Sequence, residues 1–152
     1  MPSRAMVKGW ARATGPSFKF SLKVPKTITH ERRLVDVEHE FLAFLDVIGP
    51  LEDAGKLGCL LIQLPPSFMF EDRRRLESFL RLLPQDIHFA VELRDESWDR
   101  GETWELLKKY NVANTITDSP LELLSKPVIT STTHSFVRWH GRGRSPSARC
   151  MA

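Results

Sequence analysis

Lys23, Gln63, Glu92, Arg94, Asp118, Arg138 and His140 each fall at or just beyond the end of a short apolar, strand-like run. In parallel α/β folds that is where function is placed. Glu92 and His140 are the types that transfer protons in general acid–base catalysis, with Asp118 as a second carboxylate. Lys23, Arg94 and Arg138 are cations suited to holding a phosphate or carboxylate. Gln63 can fix a substrate through its amide, and Trp98, near the same ends, offers a ring to stack on a sugar or base. His140 stands between Arg138 and Arg142 beside Gly141. Like charge on both sides disfavours its protonation, which suits a neutral base.

Each of these residues also has an ordinary structural role. Gln63 in an apolar strand can be a buried amide satisfied in place. Glu92 and Arg94, two positions apart on one strand face, can pair with each other. Asp118 before Ser119-Pro120 is a common turn former, and Trp98 can be packing. His30 reads equally as a surface, capping or ligand residue. Glu92, Asp118 and His140 make at most a partial metal-ligand set, so no metal and no cofactor are expected. No Walker A loop, Cys-x-x-Cys pair, His-Glu-x-x-His or Gly-x-Ser-x-Gly occurs in the sequence. Nucleotide hydrolysis, zinc-ribbon, zincin and serine-hydrolase chemistry therefore lack their signatures.

The elements that must position these residues alternate along the chain. Phe18–Val24 alternates at period two and predicts a strand. Val37, Phe41, Leu45 and Ile48 follow at helical spacing, and the pattern predicts that this helix ends at Gly49-Pro50. Gly58–Leu64 is nearly continuous in apolar residues, as in a strand covered on both faces. A second helix from Asp72 carries Leu76, Phe79, Leu80 and Leu83, with Pro84 as its stop. Ile87–Leu93 is a third strand, Trp104, Leu107 and Tyr110 mark a third helix, and Val112–Thr117 and Ser135–Trp139 are the last two strands. No element is assigned before Phe18. Strand starts lie about 29 residues apart, against roughly 31 per unit in a (β/α)₈ barrel. A doubly wound sheet would need a Gly-rich loop after its first strand, and Val24-Pro25-Lys26-Thr27 is not one.

The 152 residues, 41% hydrophobic and 27% charged, have the composition of one globular unit. No apolar run approaches the roughly 20 residues of a membrane span, so no membrane partner is expected. Two cysteines, Cys59 and Cys150, suit a reducing compartment, and the cytoplasm is the expected location. Charge is uneven: Met1 to Arg33 holds eight basic residues and one acidic, and Arg138 to Ala152 four basic and none acidic. Basic ends attract polyanions, but without a nucleic-acid module motif nucleic acid is not the favoured partner.

The order of segments resembles the YecE-like family, domain-of-unknown-function group 72. The matching stretches are Phe18-Lys19-Phe20-Ser21-Leu22-Lys23-Val24-Pro25, Ile28-Thr29-His30, Gln63-Leu64-Pro65-Pro66-Ser67-Phe68, Ala90-Val91-Glu92-Leu93-Arg94 with Ser97-Trp98, Asp118-Ser119-Pro120, and Val137 to Arg142. The resemblance implies a TIM-barrel-like domain of about 250 residues, with no activity established at family level. It further implies an opening strand with Gly-Thr-Ser-Gly-Trp, then a helix and a second strand, none of which is found here.

The expected fold is therefore α/β, a truncated (β/α)₈ TIM-barrel-like domain with about five strands over residues 1–142. Residues 143–152 are expected to be an unrelated or disordered tail. Open sheet edges in such a piece predict marginal stability or aggregation, and no turnover from this chain alone. For the complete architecture two functions are expected. One is a barrel hydrolase, lyase or isomerase acting on a small anionic or sugar-like substrate, with Glu92, His140 and Asp118 catalytic and Lys23, Gln63, Arg94, Trp98 and Arg138 binding. The alternative is a phosphate-ligand or nucleic-acid binding protein without turnover. Oligomeric state stays open.

Overall fold

In the computed structural model, residues 2–118 and 126–139 are described. The expected truncated α/β barrel is what they form: five parallel strands in the order β1-β2-β3-β4-β5, curled into a half-barrel with helices between them. The strands are β1 (Phe20–Lys23), β2 (Leu57–Gln63), β3 (Phe89–Glu92), β4 (Ala113–Thr117) and β5 (Phe136–Arg138). Each lies inside the segment predicted for it except β2, which begins one residue earlier, at Leu57.

The two faces of the sheet are sorted by alternation. Leu60, Ile62, Phe89, Val91 and Val112 point outward into a core with the helices. Cys59, Leu61, Ala90 and Ala113 line the concave side with Phe136 packed on them. The outer layer is built by α2 (Glu38–Asp53), α3 (Arg73–Leu80) and α4 (Gly101–Lys109). Their buried stripes meet through pairs such as Phe41 and Phe79, edge to face at 4.9 Å. Large side chains fill the helix side, and the concave side carries a thinner apolar layer of Cys59, Leu61, Ala90 and Ala113 beside Phe136. The polar residues follow where that small apolar layer ends.

Besides α3, which ends at Leu80 rather than at Pro84, two expectations about elements are corrected. The helix α2 does not stop at Gly49-Pro50; it runs through Pro50 to Asp53. Proline lacks the N–H that would bond the carbonyl four residues back. In place of that N–H, the Arg4 guanidinium donates to the Asp46 carbonyl, and also to its carboxylate at 2.7 Å. Arg4 belongs to the second correction, an unforeseen first helix, α1 (Arg4–Ala13). Its N-terminus is capped by Ser3, whose Oγ accepts from the Met6 N–H at 3.2 Å. At its C-terminal end, nearly buried Lys56 donates to the carbonyls of Ala11 at 2.5 Å and Thr14 at 2.7 Å. An ammonium there complements the exposed carbonyls of the helix end.

The β1 strand leads directly into a π-type turn, Thr27–Glu31, closed by the Arg32 N–H onto the Thr27 carbonyl at 2.9 Å. A run of left-handed residues follows at Arg33, Leu34 and Asp36. This tight return delivers the chain to α2 while holding His30 over the end of β1.

Candidate functional site

All five strands run the same way, so their C-terminal ends form one rim, and strict alternation puts every second side chain on its concave side. Lys23, Gln63, Glu92 and Arg138 share that face. The register sets Gln63 beside Glu92 and Thr117 beside Arg138. A polar row therefore crosses the sheet above the small apolar layer.

Glu92 is its centre and is fully buried. Gln63 Nε2 donates to its Oε1 at 2.7 Å, and Arg138 Nη1 donates to its Oε2 at 2.5 Å. Arg94 Nε stands 3.8 Å from Oε1, within ion-pair reach, yet is itself buried with no hydrogen-bond partner. The Gln63 amide turns its other end to Lys23, whose Nζ donates to Oε1 at 3.4 Å. One planar amide thus presents a donor to the anion and an acceptor to the cation. The side chains of Arg94 and Arg138 remain 37% and 26% exposed.

His30 joins this group from the π-type turn. Its Nδ1 lies 2.8 Å from the Thr29 hydroxyl. Its pKa is lowered first by burial, then by the fields of Lys26, Arg94 and Lys23, with Glu31 opposing. An uncharged imidazole beside these cations keeps one ring nitrogen free to accept a proton. From its neighbours in sequence His30 carries only a balanced reading, because nothing in them shows that strand ends and a turn converge on it.

Asp118 follows directly on β4 and is half-buried. His140, like the proposed tail 143–152, lies outside the described residues. Trp98 is brought elsewhere: it is fully buried, its ring lies parallel to Phe68 at 5.9 Å, and its indole N–H donates to the Phe68 carbonyl at 2.7 Å. Its faces belong to the core between β2 and β3 loops. Trp139 is the ring in the open, 77% exposed just after β5.

Both oxygens of Glu92 are occupied by donors of the protein, so in this arrangement it orients cations. The other N–H groups of the Arg94 and Arg138 guanidiniums have no hydrogen-bond partner among the described residues. Such an arrangement can bind an anion and hold it next to a neutral imidazole. No group of three or more metal-ligating His, Cys, Asp or Glu occurs among the described residues. At the opposite rim, His88 and His134 stack at 4.5 Å, and a recess of about 230 Å³ is bordered by Lys19, Glu52, Asp86 and His88. That recess lies at the strand starts, where parallel α/β folds keep stability rather than chemistry.

Comparison with known proteins gives one consistent result. The model of a family described as "Protein of unknown function DUF72" matches residues 1–150. The UPF0759 protein YecE of Escherichia coli (strain K12) is 30% identical over 110 residues, covering 72% of this chain and 40% of that protein. The crystal structure of a DUF72 family protein from Thermotoga maritima is 30% identical with a TM-score of 0.78, covering 95% of this chain and 57% of its own. A DUF72 family protein from Enterococcus faecalis gives a TM-score of 0.80 at 25% identity, covering 93% and 56%. The chain therefore spans 40% of the length of the curated relative and a little over half of these two solved ones.

Proposed function

The chain belongs to the DUF72 family, and from that membership and the polar row on its sheet we propose that Lys23, Arg94 and Arg138 bind the anionic group of a small-molecule substrate. The proposed reaction class is that of a barrel hydrolase, lyase or isomerase. The observation that carries this reading is the buried carboxylate of Glu92 fixed between Gln63 and Arg138. A negative charge held at the focus of the cations sets their positions before a ligand arrives, so less conformational freedom is lost on binding.

His30, kept neutral by burial and by the cations around it, is positioned to take a proton from a ligand anchored beside it. His140 is the second proposed base and Asp118 a second carboxylate on the same rim. Glu92 is proposed as a positioning residue. The proposed setting is the cytoplasm, where buried Cys59, its thiol pushed up to about 12 by desolvation, stays reduced and inert.

Titration with inorganic phosphate, followed by calorimetry on the native chain and on Lys23→Ala and Arg94→Ala, tests the reading. Neither substitution removes a donor hydrogen-bonded to Glu92. Saturable binding that weakens about tenfold in each variant is the expected result. Equal affinity in all three proteins, or no saturable binding to the native chain, overturns it.

A further inference from the structure

A second space opens beside the mouth, on the outer side of the β1 edge. It is a cavity of about 590 Å³ between the π-type turn and α2, bordered by Lys23, Lys26, Ile28, Ala43 and Phe44. That volume lies in the range of small-molecule sites, which are mostly apolar with a few placed polar groups. Ile28 and Phe44 supply the apolar wall, being 1% and 3% exposed. Its carboxylate, Glu40, is already bonded to Arg32 at 3.2 Å. Lys23 and Lys26 form no ion pair with a carboxylate among the described residues. The cavity therefore combines an apolar body with uncompensated positive charge at one end.

Lys23 links this cavity to the mouth, since the same side chain borders the cavity and donates to Gln63. We infer that the cavity receives the apolar part of a small amphiphilic anion whose charged group sits at Lys23. This rests on the anion-binding reading of the mouth and narrows it, from any small anion to one carrying an aliphatic or aromatic body. Charge complementarity selects the sign of the head, and the cavity volume bounds the size of the body.

A homologous series tests it by calorimetry on the native chain: acetate, butanoate, hexanoate and octanoate, with octyltrimethylammonium as the head-group control and inorganic phosphate run in parallel. Affinity is expected to rise about fourfold per added methylene, the change that about 0.8 kcal/mol per buried methylene gives. Octyltrimethylammonium should bind far more weakly than octanoate. Ala43→Trp, and separately the milder Ala43→Met, fill the cavity from an exposed position on α2 and leave the buried wall in place. Each should erase most of the octanoate advantage over acetate. Affinity independent of chain length, with phosphate still bound, overturns the cavity assignment and leaves the mouth intact. Octyltrimethylammonium binding as well as octanoate also overturns it. Failure of phosphate and the whole series together removes both readings.

Discussion

Arg138 reaches over β4 to bond Glu92 at 2.5 Å, so the last described strand is tied to the middle one by charge as well as by the sheet ladder. Glu92 is fully buried and Arg138 only partly so. Breaking such a pair from one side leaves a carboxylate without its cation. Arg138→Met is expected to cost about 3 kcal/mol, the low end for a broken buried pair. Adding Glu92→Gln should recover most of it, as read by urea denaturation. Equal stability of the native chain and Arg138→Met would show that the pair contributes nothing.

The Arg4 contact to the Asp46 carbonyl exists because Pro50 leaves that carbonyl without its helical donor. Arg4→Ala should destabilise by about 1 kcal/mol. In a Pro50→Ala background, where an N–H is restored, the same change should cost measurably less. The Arg4 ion pair to the Asp46 carboxylate is lost in both backgrounds, so the double-mutant cycle isolates the carbonyl bond. Additive costs would mean that the two residues are not coupled.

His134 gives the fold a pH dependence. Its Nε2 lies 2.8 Å from the Phe89 carbonyl, where the neutral ring donates, and burial lowers its pKa from 6.5, with His88 adding to the effect and the Phe89 bond opposing it. A folded pKa below the unfolded one means that the unfolded chain takes up its proton first. The contribution is fully present above the unfolded value of 6.5 and is lost as pH falls from there through the lowered folded value. Denaturation midpoints should drop between pH 7 and 5, with a shallower slope in His134→Gln. His30 acts in the same direction and leaves a residual slope in that variant.

Anion binding should move protons at His30. A bound anion offsets the fields of Lys26, Arg94 and Lys23 and raises the imidazole pKa back toward its usual value. With sulfate, which stays a dianion across this range, binding at pH 6 should therefore take up a fraction of a proton, and affinity should increase as pH falls through the bound-state value. Calorimetry in buffers of different ionisation enthalpy reads this directly. Its disappearance in His30→Gln would assign it, while identical uptake in that variant would place it elsewhere.

The parallel order and the strand-end positions of Gln63 and Glu92 are legible because β2 and β3 have strong apolar runs with the polar residues at fixed parity. What escaped was set by contacts between distant segments. Pro50 reads as a helix stop until Arg4 supplies the missing donor. The helix α1 lies in a basic segment of low hydrophobicity, although Ser3 as cap with Met6, Val7 and Trp10 at helical spacing is a usable signal. Trp98 lies in a motif shared with the site residues, yet its neighbour in space is Phe68, and that pairing turns it inward. Spacing from a strand end locates a residue along the chain but says nothing about which way a loop side chain points.

The polar row draws one residue each from β1, β2, β3 and β5, so no contiguous stretch of chain contains it. Its assembly has to wait for loop closures that span most of the described sequence, which are the entropically slow ones. Ligand capture at the mouth is then a kinetic clock for folding. In a refolding experiment it should appear with or after the slowest recovery of helical signal, and a chain that binds anion has already brought its first and last described strands into register.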